Sequence, residues 1–445
     1  MITPSKAFRK RATVAVAGVA VTLLALTACA SGGGSSANSG YGTKTVTKLT
    51  YLKNTENTTI EPILSVLSKN ECKADEKALP LQISNTPQAT IDSRVATLAS
   101  QNALPVAFAT GGTPSDGVKL YKAGKLVDFT TELKQLGVYQ DIAPGSISVI
   151  KELYGDGKSF DFLPFQYNIE GIFYNKKIFA ENNISIPTTW NELLSDSAKL
   201  KAAGITPLSA SGQQGWPITR LIGNYIFRDL GPNAMEAIAD GKAKLTDPDY
   251  VKAATQVADL GKKGYFNNDV ASLDYAGSIN AFLTGQTAMM YMGSWLLANI
   301  NDPTQNKVGV ANIGFMPFPA VSGGKGSIDQ YPANVGLPQT FGKATFTPKV
   351  ASWLKCITAN FGTEALKQGQ LTGFKATKPV TGLSAVTKTV QTKIATSTSS
   401  VLWFEALFNA KASSDSNTDA ALLVTGQMTP LQFMTTIQTD LNAGS

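Results

Sequence analysis

The sequence contains no histidine among its 445 residues. This absence excludes a Ser-His-Asp triad, a Cys-His pair, histidine-ligated zinc or haem, and a histidine pH switch. Carboxylate chemistry, lysine chemistry and binding without chemistry stay open. Hydrophobic residues make up 43% of the chain and charged residues 16%, which is typical of a globular protein rather than a disordered one. At roughly 100–200 residues per domain, the length predicts two or three domains.

Clustered positive charge is also scarce. The formal net charge is +7, but residues 1–28 contribute four of the 39 basic residues and no acid, which leaves 35 basic against 32 acidic residues. No dense run of Lys and Arg follows Arg11. A nucleic-acid partner needs a clustered basic face, so the sequence argues against one.

The long uncharged run is confined to residues 12–28, and its 17 residues are short for a membrane span, which needs about 20. Basic residues precede the run, and Leu26-Thr27-Ala28-Cys29 ends it, which resembles a bacterial lipoprotein signal. We predict a signal peptide over 1–28, then a lipidated Cys29 with a Gly/Ser-rich tether over 29–45. The protein is then expected outside the cell, lipid-anchored to the outer face of the cytoplasmic membrane. An ordinary signal peptide with an incidental cysteine is the alternative.

Cysteine is rare, with three in the chain. If Cys29 is lipidated, Cys72 and Cys356 remain, and an extracytoplasmic compartment permits a disulfide between them. The sequence alone does not show that they meet. Two separate buried cysteines, acting as small apolar residues, are the alternative.

Alternating apolar patterns indicate an α/β fold with a mainly parallel sheet. Strands are predicted over 46–52, 79–84 and 105–109, and helices over 60–67 and 91–100.

Further along the chain, a turn signal at 155–158 predicts a hairpin over 152–163. Thr189 and Glu192 form a capping box that opens a helix. Residues 287–292 form an apolar strand that runs directly into Gly293-Ser294-Trp295.

Two blocks of residues carry a resemblance to a known family. The first is Tyr174-Asn175-Lys176 followed by Pro187-Thr188-Thr189-Trp190, and the second is Gly285-Gln286-Thr287-Ala288-Met289 followed by Gly293-Ser294-Trp295. In this order they resemble the extracellular sugar-binding lipoproteins of ABC importers, solute-binding protein family 1, which includes maltose-binding protein. The resemblance covers most of residues 46–430.

The resemblance implies a two-lobed periplasmic-binding-protein-like fold of class II. Each lobe would be a mainly parallel sheet flanked by helices, with the ligand cleft between the lobes. The chain would cross between lobes near 165–169, 311–314 and 371–374. Lobe 1 would comprise 46–166 plus 313–372, and lobe 2 would comprise 167–312 plus 373–445. This division places Cys72 and Cys356 in one lobe, which favours the disulfide.

A sugar offers an apolar face that suits an aromatic ring and hydroxyls that suit amides, carboxylates and backbone groups. The resemblance assigns Trp295 to stacking on a sugar ring, with packing in the core as the alternative. Tight turns, solvated loops, sheet pairing or core packing are the alternatives for the other candidates. These candidates are Trp216, Gln214, Gln166, Tyr167, Asn168, Asn54, Glu56, Gly111 and Asn334. We assign Trp190, Trp353 and Trp403 to packing.

The expected function is the substrate-binding component of a carbohydrate ABC importer. It would capture an oligosaccharide, close by hinge bending and deliver the sugar to permease subunits driven by a cytoplasmic ATPase. No catalytic residue, cofactor or metal is expected. One alternative is a binding protein for a polyamine or peptide, and another is a surface glycoside hydrolase. A glycoside hydrolase would need a pair of catalytic carboxylates, and the candidate acids Glu56, Asp116 and Glu170 form no recognisable motif for such a pair. The sequence leaves the sugar, the oligomeric state and the permease open.

Overall fold

The computed structural model describes residues 41–111, 114–154, 158–396 and 400–443. The predicted signal peptide, Cys29 and most of the predicted tether lie outside these residues. Within the described part of the chain, no helix is long and apolar enough to cross a membrane.

Strands and helices alternate along the chain, as the sequence predicts. The strands are β1 (Leu49–Asn54), β2 (Leu81–Thr86), β3 (Ala107–Ala109), β4 (Asn168–Asn175), β5 (Thr206–Ser209), β6 (Thr287–Gly293), β7 (Ile313–Met316), β8 (Tyr331–Asn334), β9 (Gln339–Phe341) and β10 (Ser400–Val401). The helices of the first half are α1 (Ile60–Lys69), α2 (Lys73–Ala78), α3 (Ile91–Ser100), α4 (Pro114–Lys122), α5 (Phe129–Gln135), α6 (Pro144–Tyr154), α7 (Lys176–Glu181), α8 (Trp190–Ala202) and α9 (Trp216–Leu230). Those of the second half are α10 (Ala234–Ala239), α11 (Pro248–Lys262), α12 (Tyr275–Leu283), α13 (Leu297–Asn301), α14 (Pro348–Lys367), α15 (Ala385–Thr396), α16 (Ala410–Val424) and α17 (Pro430–Ala443).

The first sheet has the strand order β2-β1-β3-β9. β1 runs parallel to both β2 and β3, while β9 is antiparallel to β3. The carboxyl ends of β1, β2 and β3 therefore meet at one edge of this sheet. Its core is built mainly from residues before Phe165 together with α14.

The second sheet has the order β10-β8-β4-β6-β5, with β7 also paired to β4. All eight residues of β4 are buried. β4 runs antiparallel to β6, β7 and β8, so the prediction of a mainly parallel sheet is wrong for this lobe. A continuous apolar run indicates burial on both faces of a strand, and it carries no information about the direction of the neighbours.

The two sheets belong to separate cores, which confirms the two-lobed α/β fold. One stretch differs from the predicted division of the chain. β7 and β8, which fall in the 313–372 segment assigned to lobe 1, pair with β4 in the second sheet. The chain returns to the first sheet at β9, so this boundary lies between Asn334 and Gln339. Trp403, assigned to lobe 2, lies in the first core.

The predicted hairpin over 152–163 is wrong. Helix α6 occupies its first arm, and Leu163 bridges Gln339 of β9 instead. Ile147, Ile150 and Tyr154 are buried at a helical spacing of three and four residues. The turn signal therefore follows a helix, and residues 155–157 of that turn lie outside the described chain.

The predicted capping box opens α8. Thr189 Oγ1 accepts a hydrogen bond from the Glu192 amide (3.2 Å), and Glu192 Oε2 accepts one from the Thr189 amide (3.1 Å). Hydrogen bonds from Thr188 and Thr189 lower the pKa of the Glu192 carboxyl. Trp190 follows the cap and stacks on Phe318, as expected of a packing residue.

Cys72 and Cys356 form the disulfide that the sequence left open, with their Cα atoms 5.7 Å apart and a sequence separation of 284. The bridge joins the start of α2 to α14. Nearby, the Trp353 indole Nε1 donates to the Leu79 carbonyl oxygen (2.8 Å), and the side chain is fully buried. The disulfide and Trp353 therefore hold α14 against the amino-terminal part of the first lobe.

We expect the double substitution Cys72→Ser and Cys356→Ser to lower the free energy of unfolding by about 2–5 kcal/mol. The loop closed by this bridge is long, so its loss restores much conformational freedom to the unfolded chain. Denaturant unfolding under oxidising conditions measures the change. An unchanged midpoint in the double variant would contradict this account of the bridge.

Candidate functional site

Three half-buried aromatic residues meet at the end of strand β6. Trp216 begins α9, Tyr275 begins α12, and Trp295 lies in a single helical turn directly after β6. The ring centroids of Trp216 lie 5.8 Å from Trp295 and 5.7 Å from Tyr275. The Trp295 indole Nε1 donates to the Tyr275 hydroxyl (2.8 Å), which fixes the orientation of the Trp295 ring. We call these three residues the aromatic cluster.

Gly293 makes room for Trp295. A Cβ atom built on Gly293 would lie 1.9 Å from Cζ3 of the Trp295 ring, far inside van der Waals contact. The structure shows that the approaching group is the indole of Trp295, which folds back over the end of its own strand.

A buried hydrogen-bond network lies on the strands beside the cluster. Asn168 Nδ2 donates to Asn334 Oδ1 (3.3 Å), and the Ser294 hydroxyl donates to Asn168 Oδ1 (3.1 Å). Asn334 Nδ2 and the Tyr291 hydroxyl both donate to the Glu170 carboxylate, each at 2.8 Å. We call Asn168, Glu170, Tyr291, Ser294 and Asn334 the polar network.

Arg220 joins the polar network to the aromatic cluster. Its guanidinium is ion-paired with Glu170 and, at 3.0 Å, with Glu405. The same group lies 5.5 Å from the Trp216 ring centroid and 5.3 Å from that of Trp403. Burial acts to lower the pKa of Arg220, but Glu170 and Glu405 raise it above its usual value. Arg220 is therefore a permanent positive charge held between two buried acids.

The structure brings together four of the predicted site residues: Trp295 and Trp216 in the aromatic cluster, and Asn168 and Asn334 in the polar network. Trp403, assigned to packing, is buried in the first core and also contacts Arg220.

The other predicted residues have local partners. Gln166 contacts Asn57 (3.4 Å) and Thr59 (3.2 Å) in the loop after β1, and Gln214 accepts from Ser211 within its own turn. The side chain of the exposed residue Glu56 accepts from the Gln88 amide (2.9 Å). These contacts hold the loops together and do not by themselves indicate a ligand. A ligand-binding role for Gln166, Gln214 and Glu56 stays a prediction.

Three further predicted residues lie at or beside the first lobe. Tyr167 is half-buried and packs against the first core. Asn54 is buried at the end of β1, and the amide of Gly111 donates to Asp92 (2.6 Å).

Sequence reasoning missed Tyr275, Tyr291, Arg220 and Glu405. Arg220 follows Trp216 by one helical turn, so the sequence could have predicted that the two side chains are neighbours on α9. Glu405 carried no such signal, because its partner is 185 residues away in the chain.

The three acids considered for a hydrolase each have a partner in the structure. Glu170 is ion-paired with Arg220, Asp116 with Lys119 (2.6 Å), and Glu56 accepts from the Gln88 amide. Within the described part of the chain, no hydrogen bond joins any two of these acids. This arrangement gives no support to a pair of catalytic carboxylates.

One group of potential metal ligands occurs among the described residues, formed by Cys72, Asp75 and Cys356. Both sulfur atoms are consumed by the disulfide, so the group offers no thiolate to a metal ion.

The sequence profile of bacterial extracellular solute-binding proteins matches residues 95–351 of the chain. The chain belongs to this family. The match includes β3 to β9 and every member of the aromatic cluster and the polar network.

Among curated proteins, this solute-binding protein is similar to an uncharacterised ABC transporter extracellular-binding protein of Pyrococcus horikoshii, with 24% identity over 230 residues, 49% of this chain and 50% of the other. It is also similar to the sn-glycerol-3-phosphate-binding periplasmic protein UgpB of Escherichia coli strain K12, with 27% identity over 236 residues, 48% of this chain and 50% of the other. The matched part of the chain spans about half the length of these curated relatives.

Solved structures match over nearly their whole length. A chitin oligosaccharide binding protein superimposes with a TM-score of 0.78 and 26% identity, over 89% of this chain and 98% of the other. The solute-binding protein RafE in complex with raffinose gives a TM-score of 0.72 with 20% identity, over 89% and 99%. A sugar transporter protein of Bacillus licheniformis in complex with stachyose gives 0.68 with 16% identity, over 89% and 100%. At these identities, the matches to RafE and to the Bacillus licheniformis protein establish a shared fold and nothing about the ligand of this chain.

We expect Arg220→Met to lower the free energy of unfolding by about 3–5 kcal/mol, because it leaves Glu170 and Glu405 buried without a counter-charge. Adding Glu170→Gln and Glu405→Gln to that variant removes both charges and should recover part of the loss. Denaturant unfolding of the two variants and the parent measures the effect. A triple variant no more stable than Arg220→Met would show that the ion pairs are not what stabilises this region.

Proposed function

We propose that this protein is the substrate-binding component of a carbohydrate ABC importer and captures an oligosaccharide between its lobes. The observation that carries the proposal is that Arg220 joins the aromatic cluster to the polar network, with contacts to both Trp216 and Glu170. Half-buried indole rings offer a surface for the C–H faces of sugar rings. The amides and carboxylate beside them have the fixed directions that hydroxyl groups need.

Several neighbours support this choice of ligand. The chitin oligosaccharide binding protein covers 89% of this chain at 26% identity, and raffinose and stachyose are named as ligands of two further proteins of the same fold. Two indole rings in one cluster favour a ligand of more than one sugar unit, because each ring of the ligand then has its own aromatic platform.

We infer that the two lobes close on the ligand, because both lobes contribute side chains to the site. Trp216 and Trp295 pack with the second lobe, whereas Trp403 lies in the first core and meets them through Arg220. A sugar that contacts both lobes stabilises the closed form by the difference between its affinities for the closed and open forms. The closed form would dock on the permease, and ATP hydrolysis inside the cell would drive release.

The amino-terminal predictions complete the proposal. A signal peptide over 1–28, lipidation of Cys29 and a tether to residue 45 would hold the binding lobes at the outer face of the membrane. Incorporation of a labelled fatty acid tests this, since Cys29→Ser should abolish the label and release the protein into the medium.

One assay can test the alternative functions. These are binding of a polyamine, binding of a peptide and hydrolysis of a glycoside. UgpB is named for sn-glycerol 3-phosphate, so binding of an anionic ligand is a further alternative. A thermal-shift screen of the purified protein tests each class, because a bound ligand raises the melting temperature by mass action. Chromatography of the recovered sugar separates binding from hydrolysis.

Trp295→Ala should weaken binding of the responding oligosaccharide by about 10-fold to 100-fold, because a stacked aromatic platform contributes about 1–3 kcal/mol. Isothermal titration of the parent and the variant measures the change. Unchanged affinity would remove Trp295 from the site.

Trp353→Ala is the matched control in the first core. Its indole is fully buried and bonded to the Leu79 carbonyl, so truncation should cost about 3–5 kcal/mol of stability. Below its lowered melting temperature, the variant should keep the parent affinity. A loss of affinity equal to that of Trp295→Ala would show that the assay reports stability rather than contact with the sugar.

A further inference from the structure

The last residues of the predicted tether are paired to the first lobe. The Gly42 amide donates to the Phe346 carbonyl oxygen (2.7 Å), and the Lys44 amide donates to the Ala344 carbonyl oxygen (3.0 Å). The Tyr41 ring stacks on Phe346, with the ring centroids 6.2 Å apart. A Cβ atom on Gly42 would lie 2.3 Å from the Ala344 carbonyl oxygen, so this approach requires glycine. The end of the tether is therefore fixed to one place on the first lobe.

This attachment lies at the amino edge of the first sheet, where β1 and β3 begin. Phe341 ends the antiparallel strand β9 and pairs with Ala107, the first residue of β3. The residues that follow β9 and hold the tether therefore lie beyond the beginning of β3. Ligands of open α/β sheets bind at the carboxyl ends of the strands. The tether is thus attached at the opposite end of the sheet from the edge that suits a ligand.

Four lysines lie at this amino edge. Lys48 directly precedes β1. Lys44 Nζ donates to the Asn102 carbonyl oxygen, and Lys125 Nζ donates to Asn102 Oδ1 (2.9 Å). The Lys343 amide donates to the Lys125 carbonyl oxygen (2.8 Å). We call Lys44, Lys48, Lys125 and Lys343 the lysine face.

The charges of the lysine face have no ion-pair partners within the described part of the chain. Lys44, Lys48 and Lys343 are exposed, and Lys125 is half-buried. Outside residues 1–28 the sequence has 35 basic and 32 acidic residues, so these four charges exceed the net charge of that whole stretch. The fold thus gathers positive charge from separate segments that form no basic run in the sequence.

We propose that the lysine face docks on the anionic lipid headgroups of the membrane that holds the anchor, with the carboxyl edge of the first sheet turned away from that membrane. The position of the tether argues for this partner. Residues 30–40 join Cys29 to Tyr41, and a Gly/Ser-rich chain of this length spans about 20 Å. Such a short connection keeps lipid headgroups at a high effective concentration beside the lysines.

Electrostatic attraction is strong enough to orient a tethered protein. Each basic side chain near an anionic lipid surface strengthens association by about fivefold, and the effect falls off within a Debye length of about 8 Å. The inference rests on the lipid anchor of the proposed function, and it adds a second contact between the protein and the membrane.

Flotation with lipid vesicles is the primary test. The Cys29→Ser protein recovered from the medium lacks the anchor and reports the lysine face alone. At low salt it should bind vesicles of phosphatidylglycerol and phosphatidylcholine in roughly equal amounts, and it should not bind vesicles of phosphatidylcholine. About 0.5 M salt should release it, because the charges are then screened. No binding to the anionic vesicles at low salt would overturn the proposal.

The combined substitutions Lys44→Gln, Lys48→Gln and Lys343→Gln in the same protein should weaken binding to the anionic vesicles by about 100-fold, since three charges are removed. Lys125 is kept because its ammonium group bonds to the Asn102 side chain. Sugar affinity should stay at the parent value, because the changes lie at the amino edge of the sheet. Unchanged binding to the anionic vesicles would overturn the lysine face.

The combined substitutions Lys244→Gln, Lys262→Gln and Lys307→Gln are the matched control. They remove the same net charge at exposed lysines of the second lobe. This variant should keep the parent affinity for the anionic vesicles. A loss equal to that of the lysine-face variant would mean that net charge alone drives binding, which would overturn the proposal.

Acetylation of amines in the lipidated parent tests the orientation, with mass spectrometry as the readout. Lys48 and Lys343 should react more slowly in anionic vesicles than in phosphatidylcholine vesicles. Lys244 and Lys262 should react equally in both. If all four lysines are indifferent to the lipid, the proposed orientation is wrong.

Failure of this inference and failure of the proposed function give different results. A parent that incorporates fatty acid and binds a sugar, but shows no lipid-dependent protection of Lys48 and Lys343, overturns the lysine face alone. A parent that incorporates no fatty acid overturns the anchor, and flotation still decides whether the face binds lipid. Binding to a soluble glycerol-phosphate polymer in place of the anionic vesicles would assign the face to another partner and overturn the proposal.

Discussion

The largely buried charge of Arg220 is the constraint on which the candidate site depends. Its guanidinium pairs with Glu170 on the central strand β4 and with Glu405 beyond β10, and two indole rings pack against it. A buried charge that loses its partner is costly, so these ion pairs favour the assembled arrangement of the elements that carry them. The arrangement fixes Trp216 at the start of α9. It also places Trp403 of the first core beside the second lobe.

Around this charge, both lobes contribute aromatic side chains. Trp216 and Trp295 pack with the second lobe, whereas Trp403 lies in the first core. The proposed sugar ligand has an apolar face and a rim of hydroxyls, which suit these rings and the polar network beside them. The same division explains how a ligand could favour closure, since neither lobe alone supplies the complete set of contacts.

Much of this organisation could be predicted from local sequence signals. The capping box of Thr189 and Glu192 and the strand over 287–292 each depend on neighbouring residues. Trp295 was found through the resemblance of Gly293-Ser294-Trp295 to a family motif. The partners of Arg220 could not be found in this way, because they lie 50 and 185 residues away in the chain. The pairing of β7 and β8 with β4, and the helix in place of the predicted hairpin, likewise depend on tertiary context that a pattern of turn residues does not contain.

A crystal structure of the protein with a bound neutral oligosaccharide tests the central claim most directly. We predict sugar rings packed against Trp295 and Trp216 in that complex. A ligand bound elsewhere would contradict the account; one such place is the surface cavity of about 360 Å³ beside Gly231 and Tyr250. So would a cleft ligand that leaves the aromatic cluster untouched.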